Sequence, residues 1–188
     1  MSRYFRIFED HDLEGGLTDP PDDLVTPEDP RAEEDLPQEV FWVEMPEDTP
    51  WQHLMTGGAL LVSETLLGAL DAAGVKELSA RPVVVQDLRT RTPRSGWFTL
   101  EVPKVAKVVD LERSDFDALM GGSDDGEIPP LVAFNEIVLH ASRAEGRKLF
   151  RPAEDPTVLI IDETVMEALR SHRPPEGWGL MVEELETS

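Results

Sequence analysis

The amino-acid sequence predicts an α+β fold, a single domain with a mainly antiparallel sheet and more strand than helix. Short apolar runs separated by turn residues recur along the chain, which is the pattern of short strands. One strand–turn–helix pattern occurs twice, at residues 60–70 and 159–169. Residues 9–50 hold seven Pro and few apolar side chains, a composition typical of an irregular arm.

The repeated pattern reads LLVSETLLGAL in the first copy and LIIDETVMEAL in the second. In each copy an apolar run precedes Ser63 or Asp162, whose side-chain oxygen can accept from the amides of a following first turn, so both are predicted helix N-caps. Glu64 and Glu163 come next, where the helix dipole favours a carboxylate. A hydrolase would place its nucleophile at such a junction, but Ser63 lacks flanking Gly residues and Asp replaces it in the second copy. We interpret both stretches as a duplicated scaffold unit.

Three segments organise the chain. Residues 1–8 contain a first strand at Tyr4 to Phe8, residues 9–50 form the acidic, Pro-rich N-terminal arm, and residues 51–188 form the body. Within the arm, only Val40 to Val43 has the apolar character of a buried stretch.

The body is predicted to contain short elements between and around the two copies. In chain order they are a turn at 51–59, the first copy at 60–70, a strand at 82–85, a loop at 87–96, strands at 97–102 and 107–110, and a short helix at 115–120 capped by Ser114. They continue with an exposed loop at 123–130, a strand at 131–140, the second copy at 159–169 and a closing strand at 179–185.

The formal net charge is −22, and its distribution indicates a protein partner. Residues 9–48 carry sixteen Asp or Glu against one basic residue, Arg31. Such a surface repels phosphate backbones and attracts basic proteins within about a Debye length, roughly 8 Å at physiological salt. We therefore expect no nucleic-acid partner and favour a basic protein, although an acidic stretch is also commonly just a solvated surface.

Cysteine usage and hydropathy bear on the compartment. The chain has no Cys, which excludes disulfides and thiolate metal sites and fits a reducing cytoplasm. The start turns acidic before any apolar leader segment appears, and no apolar run approaches the roughly 18 residues that span a bilayer. We expect a soluble, cytoplasmic protein without a membrane partner.

No motif in the sequence carries catalysis. The four His residues lie far apart, so no metal site is predicted, and Asp10-His11-Asp12 in the arm is interpreted as solvated charge. The Gly pairs lack both the phosphate-loop pattern and a following Lys. Arg143, Arg147 and Arg151 could bind an anion, but pairing with the acidic arm is the preferred interpretation. The chain is predicted to be neither an enzyme nor a cofactor-binding protein.

Six short motifs occur in an order that resembles a known family. They are Ser63-Glu64, Gly96-Trp97-Phe98, Val109-Asp110, Arg113-Ser114, Phe150-Arg151 and Asp162-Glu163. In this order, over roughly residues 60–185, the chain resembles the immunity-protein eleven family of bacterial polymorphic toxin systems. The acidic arm is less similar to that family.

The resemblance implies a non-catalytic, cytoplasmic protein that binds and neutralises a cognate toxin. The composition agrees, because an acidic inhibitor associates quickly with a basic toxin. Two other classes stay open: a general acidic interaction or regulatory module that binds a different basic partner, and an enzyme of unknown type.

The predicted contact surface for the partner is the acidic arm together with the loop at 123–127, with two Trp residues as aromatic anchors if they are exposed. The residues are Asp22, Asp23, Glu28, Asp29, Glu33, Glu34, Asp35, Asp124, Asp125, Glu127, Trp42 and Trp51. Buried packing is the preferred interpretation for either Trp.

Overall fold

The computed structural model describes residues 2–10, 12–13, 15–20, 39–47, 49–76, 78–105, 107–121 and 130–188. Much of the predicted acidic arm, residues 21–38, and most of the predicted loop at 123–130 lie outside the described residues. No helix within the described ranges is long and apolar enough to cross a membrane.

The described residues form short strands and three helices. In chain order these are β1 Tyr4–Glu9, β2 Gly16–Thr18, β3 Val40–Glu44, β4 Leu54–Gly57, β5 Ala59–Ser63, α1 Glu64–Ala72, β6 Ser79–Asp87, β7 Pro93–Glu101, β8 Lys104–Val105, β9 Asp115–Met120, β10 Leu131–Glu136, β11 Val138–Leu139, α2 Ala141–Ala144, β12 Leu149–Pro152, β13 Leu159–Asp162, α3 Glu163–Ser171 and β14 Leu180–Thr187.

The first sheet joins the two ends of the described chain, in the order β11-β14-β1-β13-β12-β8. β1 lies between β13 and β14 and is antiparallel to both, so that Tyr4 lies opposite Asp162 on one side and Leu185 on the other. The β11–β14 and β12–β8 pairs are parallel. The predicted first and closing strands are therefore confirmed as strands, and they are neighbours in one sheet.

The second sheet has the order β2-β3-β6-β7-β5-β4, in which β3 and β6 form a parallel pair. The predicted apolar stretch at 40–43 forms most of β3, and both Trp42 and Val43 are buried. The predicted loop at 87–96 is shorter than expected, because β6 and β7 stay paired as far as Gln86 and Pro93. The Asp87 carboxylate closes the remaining turn by accepting the N–H groups of Arg89 and Thr90 at 2.8 and 2.9 Å.

Helices α1 and α3 each follow directly after a strand of the two similar stretches, β5 and β13. Ser63 Oγ accepts the Leu66 N–H at 3.1 Å, and Asp162 Oδ1 accepts the Val165 N–H at 2.9 Å. These contacts confirm the two predicted N-caps. Each helix then turns an apolar face towards the interior. Of the residues whose spacing predicts these faces, Leu66, Leu70, Val165 and Leu169 are buried, and Leu67 and Met166 are partly buried against the same core.

The main core lies between the two sheets and these two helices. Its buried members come from both sheets and both helices, and include Phe5, Leu54, Val62, Leu66, Leu70, Leu100, Ile161, Val165 and Leu169. A second buried cluster lies on the opposite face of the first sheet, around Tyr4, Phe150 and Ile160. Layers of helix and largely antiparallel sheet that share a core make the architecture α+β, as predicted.

The predicted helix at 115–120 is wrong, because these residues form strand β9. Ser114 does not cap a following turn. Its hydroxyl donates to Asp110 O at 2.8 Å and accepts the Val138 N–H at 2.9 Å. These two hydrogen bonds hold the start of β9 next to β11. The sequence of this stretch is compatible with both a helix and a strand, and pairing with β10 makes it a strand.

Three further boundaries differ from prediction. The turn expected at 51–59 contains strand β4, which pairs with β5. The strand expected at 107–110 is reduced to a single bridge between Val109 and Leu139. The strand expected at 131–140 is divided into β10 and β11 at Ile137, because the chain passes there from its pairing with β9 to its pairing with β14.

Candidate functional site

β9 and β10 form a hairpin that pairs with no other strand in the described part of the chain. Asp115 lies opposite Glu136 at its base, and Met120 lies opposite Leu131 at its outer end. Register shifts occur near both ends, and such bulges bend and twist a two-stranded ribbon. Within the described residues, the hairpin therefore forms a two-stranded sheet separate from the two larger ones.

The base and middle of the hairpin are fixed by packing against the first sheet. Val132 and Phe134 are buried in the cluster that contains Phe150 and Ile160. The Phe116 and Phe134 rings meet edge to face, with 6.0 Å between their centroids. The Val132 N–H also donates to Glu154 O at 2.9 Å. These contacts give the exposed outer end a rigid support.

Three large apolar side chains are exposed at that outer end. Leu119 is 63% exposed, Met120 is 67% exposed, and Leu131, opposite Met120, is 37% exposed. Single exposed apolar residues are common on soluble proteins, but adjacent ones on a protruding element are typical of a surface that a partner covers. We call Leu119, Met120 and Leu131 the hairpin tip.

The charges around the hairpin tip all have the same sign. Between Ser114 and Ser142 the sequence contains six Asp or Glu and no Lys or Arg. Of the acidic residues among these that the structure describes, Asp115, Asp117 and Glu136 are all exposed on the hairpin. An apolar centre with an acidic surround suits a basic partner that carries an apolar recess.

The ten predicted acidic contact residues lie outside the described residues. Seven of them belong to segment 21–38. The other three, Asp124, Asp125 and Glu127, belong to the connection between β9 and β10, and so they are linked in sequence to the hairpin tip.

The two predicted Trp anchors differ in exposure. Trp42 is 8% exposed, and the Arg91 guanidinium lies over its ring at 5.3 Å from the centroid. Trp51 is half-buried, with the Arg94 guanidinium at 3.9 Å from its ring centroid and the Trp97 ring at 6.0 Å. Packing inside the second sheet therefore accounts for Trp42, whereas only Trp51 keeps surface that a partner can reach.

Sequence reasoning did not identify Leu119, Met120 and Leu131 as surface residues. The sequence analysis places the run Ala118-Leu119-Met120 in a short helix, and a helical pattern does not indicate which of these residues lie at the exposed end of a strand. The available signal was the position of this run directly before Gly121-Gly122 and an acidic loop, which is typical of the end of a hairpin arm.

A Ser–His–Glu arrangement occurs elsewhere, where the two sheets meet. His53 Nδ1 lies 2.6 Å from Ser63 Oγ, and His53 Nε2 lies 3.6 Å from the Glu176 carboxylate. Burial lowers the pKa of His53, and the Glu176 carboxylate partly opposes that effect. The imidazole also packs edge to face on Trp178, at 5.1 Å between centroids.

The contacts of Ser63 favour a structural role for this arrangement over a catalytic one. Ser63 is 8% exposed, and its Oγ already accepts the Leu66 N–H as the cap of α1. The main chain of His53 links the sheets as well, because its N–H donates to Trp178 O at 3.0 Å and its carbonyl accepts the Ser63 N–H at 3.0 Å. We therefore interpret Ser63, His53 and Glu176 as a polar connection between the sheets.

Among the residues that the structure describes, no group of three or more His, Cys, Asp or Glu side chains is arranged to hold a metal ion. No curated protein matches the sequence. The model of the immunity protein family Imm11 matches residues 8–185 of the 188. Since this match spans nearly the whole chain, the protein belongs to the Imm11 family of immunity proteins.

Proposed function

We propose that this protein binds a cognate toxin of a polymorphic toxin system in the cytoplasm and neutralises it without catalysis. Membership of an immunity protein family supports the general role. The proposed binding surface is supported by the hairpin tip. There Leu119, Met120 and Leu131 are exposed on an element whose charged residues are all acidic.

The toxin surface that fits the hairpin tip is basic, with an apolar recess. Truncating an apolar hot-spot residue at the centre of an interface typically costs about 2 kcal/mol or more of binding free energy. The acidic residues around it act mainly on the association rate, because opposite charges steer the two proteins together over distance. The proposed contact surface therefore combines the hairpin tip with the acidic residues Asp124, Asp125 and Glu127, and extends to the seven acidic residues of the arm and to Trp51.

The decisive experiment is growth of cells that express the toxin domain encoded beside this gene, with and without this protein. We expect growth to be rescued, and we expect the two proteins to copurify at low salt and to separate more readily at high salt. Failure of both rescue and copurification would remove the toxin as the partner and leave a general acidic interaction module as the better description.

The hairpin tip is tested by the double variant Leu119→Ser with Met120→Ser. We expect its affinity for the toxin to fall by roughly a hundredfold, since two exposed apolar side chains are lost from the centre of the contact. The matched control is Met181→Ser with Val182→Ser, which removes two side chains that are each 42% exposed on β14. Equal affinities for the two double variants would place the toxin elsewhere.

A further inference from the structure

An open cleft of about 900 Å³ lies between strands of the second sheet and the β8–β12 side of the first sheet. One wall comes from the second sheet, with Arg81 on β6 and Thr99 and Glu101 on β7. The other wall comes from the first sheet, with Lys104 on β8 and Arg151 on β12. The cleft shares no residue with the hairpin tip.

Strand pairing places Lys104 and Arg151 next to each other. They lie directly opposite in the parallel β8–β12 pair. Along β12, Leu149 faces the core between the sheets and Phe150 faces the opposite cluster, so the alternation of a strand turns Arg151 to the side of Leu149, towards the second sheet. Like charges directly opposite on neighbouring strands repel each other, which makes this pair unfavourable on its own.

Arg151 is a half-buried cation without an acidic partner among the described residues. Its Nη1 donates to Pro156 O at 2.8 Å, and its Nε is buried without a hydrogen-bond acceptor. Burial lowers the pKa of its guanidinium. A charge removed from water in this way is costly unless an opposite charge joins it.

A shortage of acidic residues in the chain does not explain why Arg151 has no ion-pair partner among the described residues. The chain has 39 Asp and Glu against 17 Lys and Arg. Glu39 and Glu101 line the same cleft, yet neither forms an ion pair with its three cations within the described residues. Within the described residues, Arg81, Lys104 and Arg151 therefore form a group of cations without an ion-pair partner. Pairing of Arg151 with the acidic arm, the interpretation preferred from the sequence, concerns residues outside the described ranges.

We propose that this cleft is a binding site for a carboxylate, held by Arg151 and Lys104 with Arg81 at the rim. The three cations and the two Glu side chains leave a net charge of +1 among the lining residues, which suits a singly charged carboxylate better than a doubly charged phosphate. Arg151 supplies the planar guanidinium, and Lys104 supplies a point charge beside it. This site is independent of the proposed toxin contact, so either proposal can fail without the other.

The test is a titration of the isotopically labelled full chain with sodium acetate, followed by amide chemical shifts, with sodium chloride at equal ionic strength as the reference. We expect saturable shifts at residues 99–104 and 151–157 with acetate and not with chloride. In Arg151→Gln, acetate should bind roughly tenfold more weakly, because a hydrogen bond to a charged group is lost.

Two variants keep the test decisive. Arg143→Gln removes an exposed arginine from α2 and should bind acetate as the wild type does. Lys104→Gln changes an exposed side chain and should also weaken acetate binding, so it replaces Arg151→Gln if that variant does not fold. Shifts that fail to saturate, shifts elsewhere in the chain, equal binding by Arg143→Gln and Lys104→Gln, or tighter binding of inorganic phosphate than of acetate would each overturn the assignment.

The source of the carboxylate is distinguished by a second titration with the blocked peptide acetyl-Ala-Glu-Ala-amide, which carries one carboxylate, as acetate does. Binding that is several-fold tighter than that of acetate, lost in Arg151→Gln, assigns the site to an acidic segment of a protein. Binding no tighter than that of acetate assigns it to a small organic acid.

Discussion

Ser63 and Asp162 are different residue types that perform the same task. One side-chain oxygen of each accepts a hydrogen bond from the third N–H group of the following helix, and each is followed by a Glu in the first turn. The interaction depends on an acceptor at the right distance from the main chain and not on charge, so Ser and Asp can substitute for each other in the two stretches.

We expect Asp162→Ala to lower the free energy of unfolding by about 1 kcal/mol, because an amide of the first turn of α3 loses its acceptor. Asp162→Asn retains the oxygen and should lose only a few tenths of a kcal/mol. Urea denaturation of the two variants checks this. Equal losses in Asp162→Asn and Asp162→Ala would mean that the charge, and not the hydrogen bond, stabilises the helix.

His53 links stability to pH. Burial lowers its pKa below the ordinary value of 6.5, so the unfolded chain takes up a proton at this position before the folded chain does. The stability associated with neutral His53 is therefore complete above about pH 6.5 and decreases as the pH falls below that value.

We expect the loss of stability of the wild type between pH 7 and pH 5.5 to be smaller in His53→Gln, which has no proton to take up at this position. Urea denaturation across this range measures the difference. His172→Gln, which removes an exposed imidazole, is the matched control. A pH dependence in His53→Gln as steep as that of the wild type would assign the effect to other groups.

At the scale of elements, the β9–β10 hairpin separates packing from exposure along one short ribbon. Phe134 is 6% exposed and packs on Phe116, whereas Met120 is 67% exposed. Large apolar side chains of the same hairpin are therefore buried at its middle and exposed at its outer end. Local sequence does not distinguish them, because it is the position of the first sheet under the hairpin that decides which side chains are covered.

Phe134→Ala should lower the free energy of unfolding by about 3 to 5 kcal/mol, since it leaves a cavity beside Phe116. Met120→Ser should change it by less than about 0.5 kcal/mol, as is usual at exposed sites. Thermal and urea unfolding compare the two. A large loss of stability in Met120→Ser would show that the hairpin tip is packed in solution and would remove it as a free binding surface.

At the scale of the whole molecule, the sheets are tied together where the segment before β4 crosses the segment before β14. Gly179 has φ of +63°, and a Cβ atom placed there would lie 3.0 Å from Gln52 Cα. Gly177 has φ of +87°, and a Cβ atom there would meet only the Arg173 side chain, at 3.5 Å. The two glycines share a left-handed conformation but differ in what surrounds them.

Gly179→Ala should therefore destabilise the protein by at least about 1 kcal/mol more than Gly177→Ala, because both lose the freedom of glycine but only Gly179→Ala pushes on another main chain. Urea denaturation of both variants measures the difference. If the two losses of stability are equal, the main chain at Gln52 moves aside to accommodate the added methyl group.

Features that depend on neighbours along the chain can be predicted from the amino-acid sequence alone. The caps at Ser63 and Asp162, the apolar faces of α1 and α3, the first strand at Tyr4 and the α+β class all follow from patterns a few residues long. The order of the short motifs also indicated the immunity protein family, and the match of the family model to residues 8–185 confirms it.

Features that depend on partners far away in the sequence required the three-dimensional structure. Residues 115–120 form a strand because β10 pairs with them. Leu119 and Met120 are exposed, whereas Val132 and Phe134 of the same hairpin are buried in the cluster that contains residues of the first sheet. Arg151 became a half-buried cation beside Lys104 because β12 and β8 are paired. Pairing and burial bring together residues far apart in sequence, and no local pattern specifies which of them will meet.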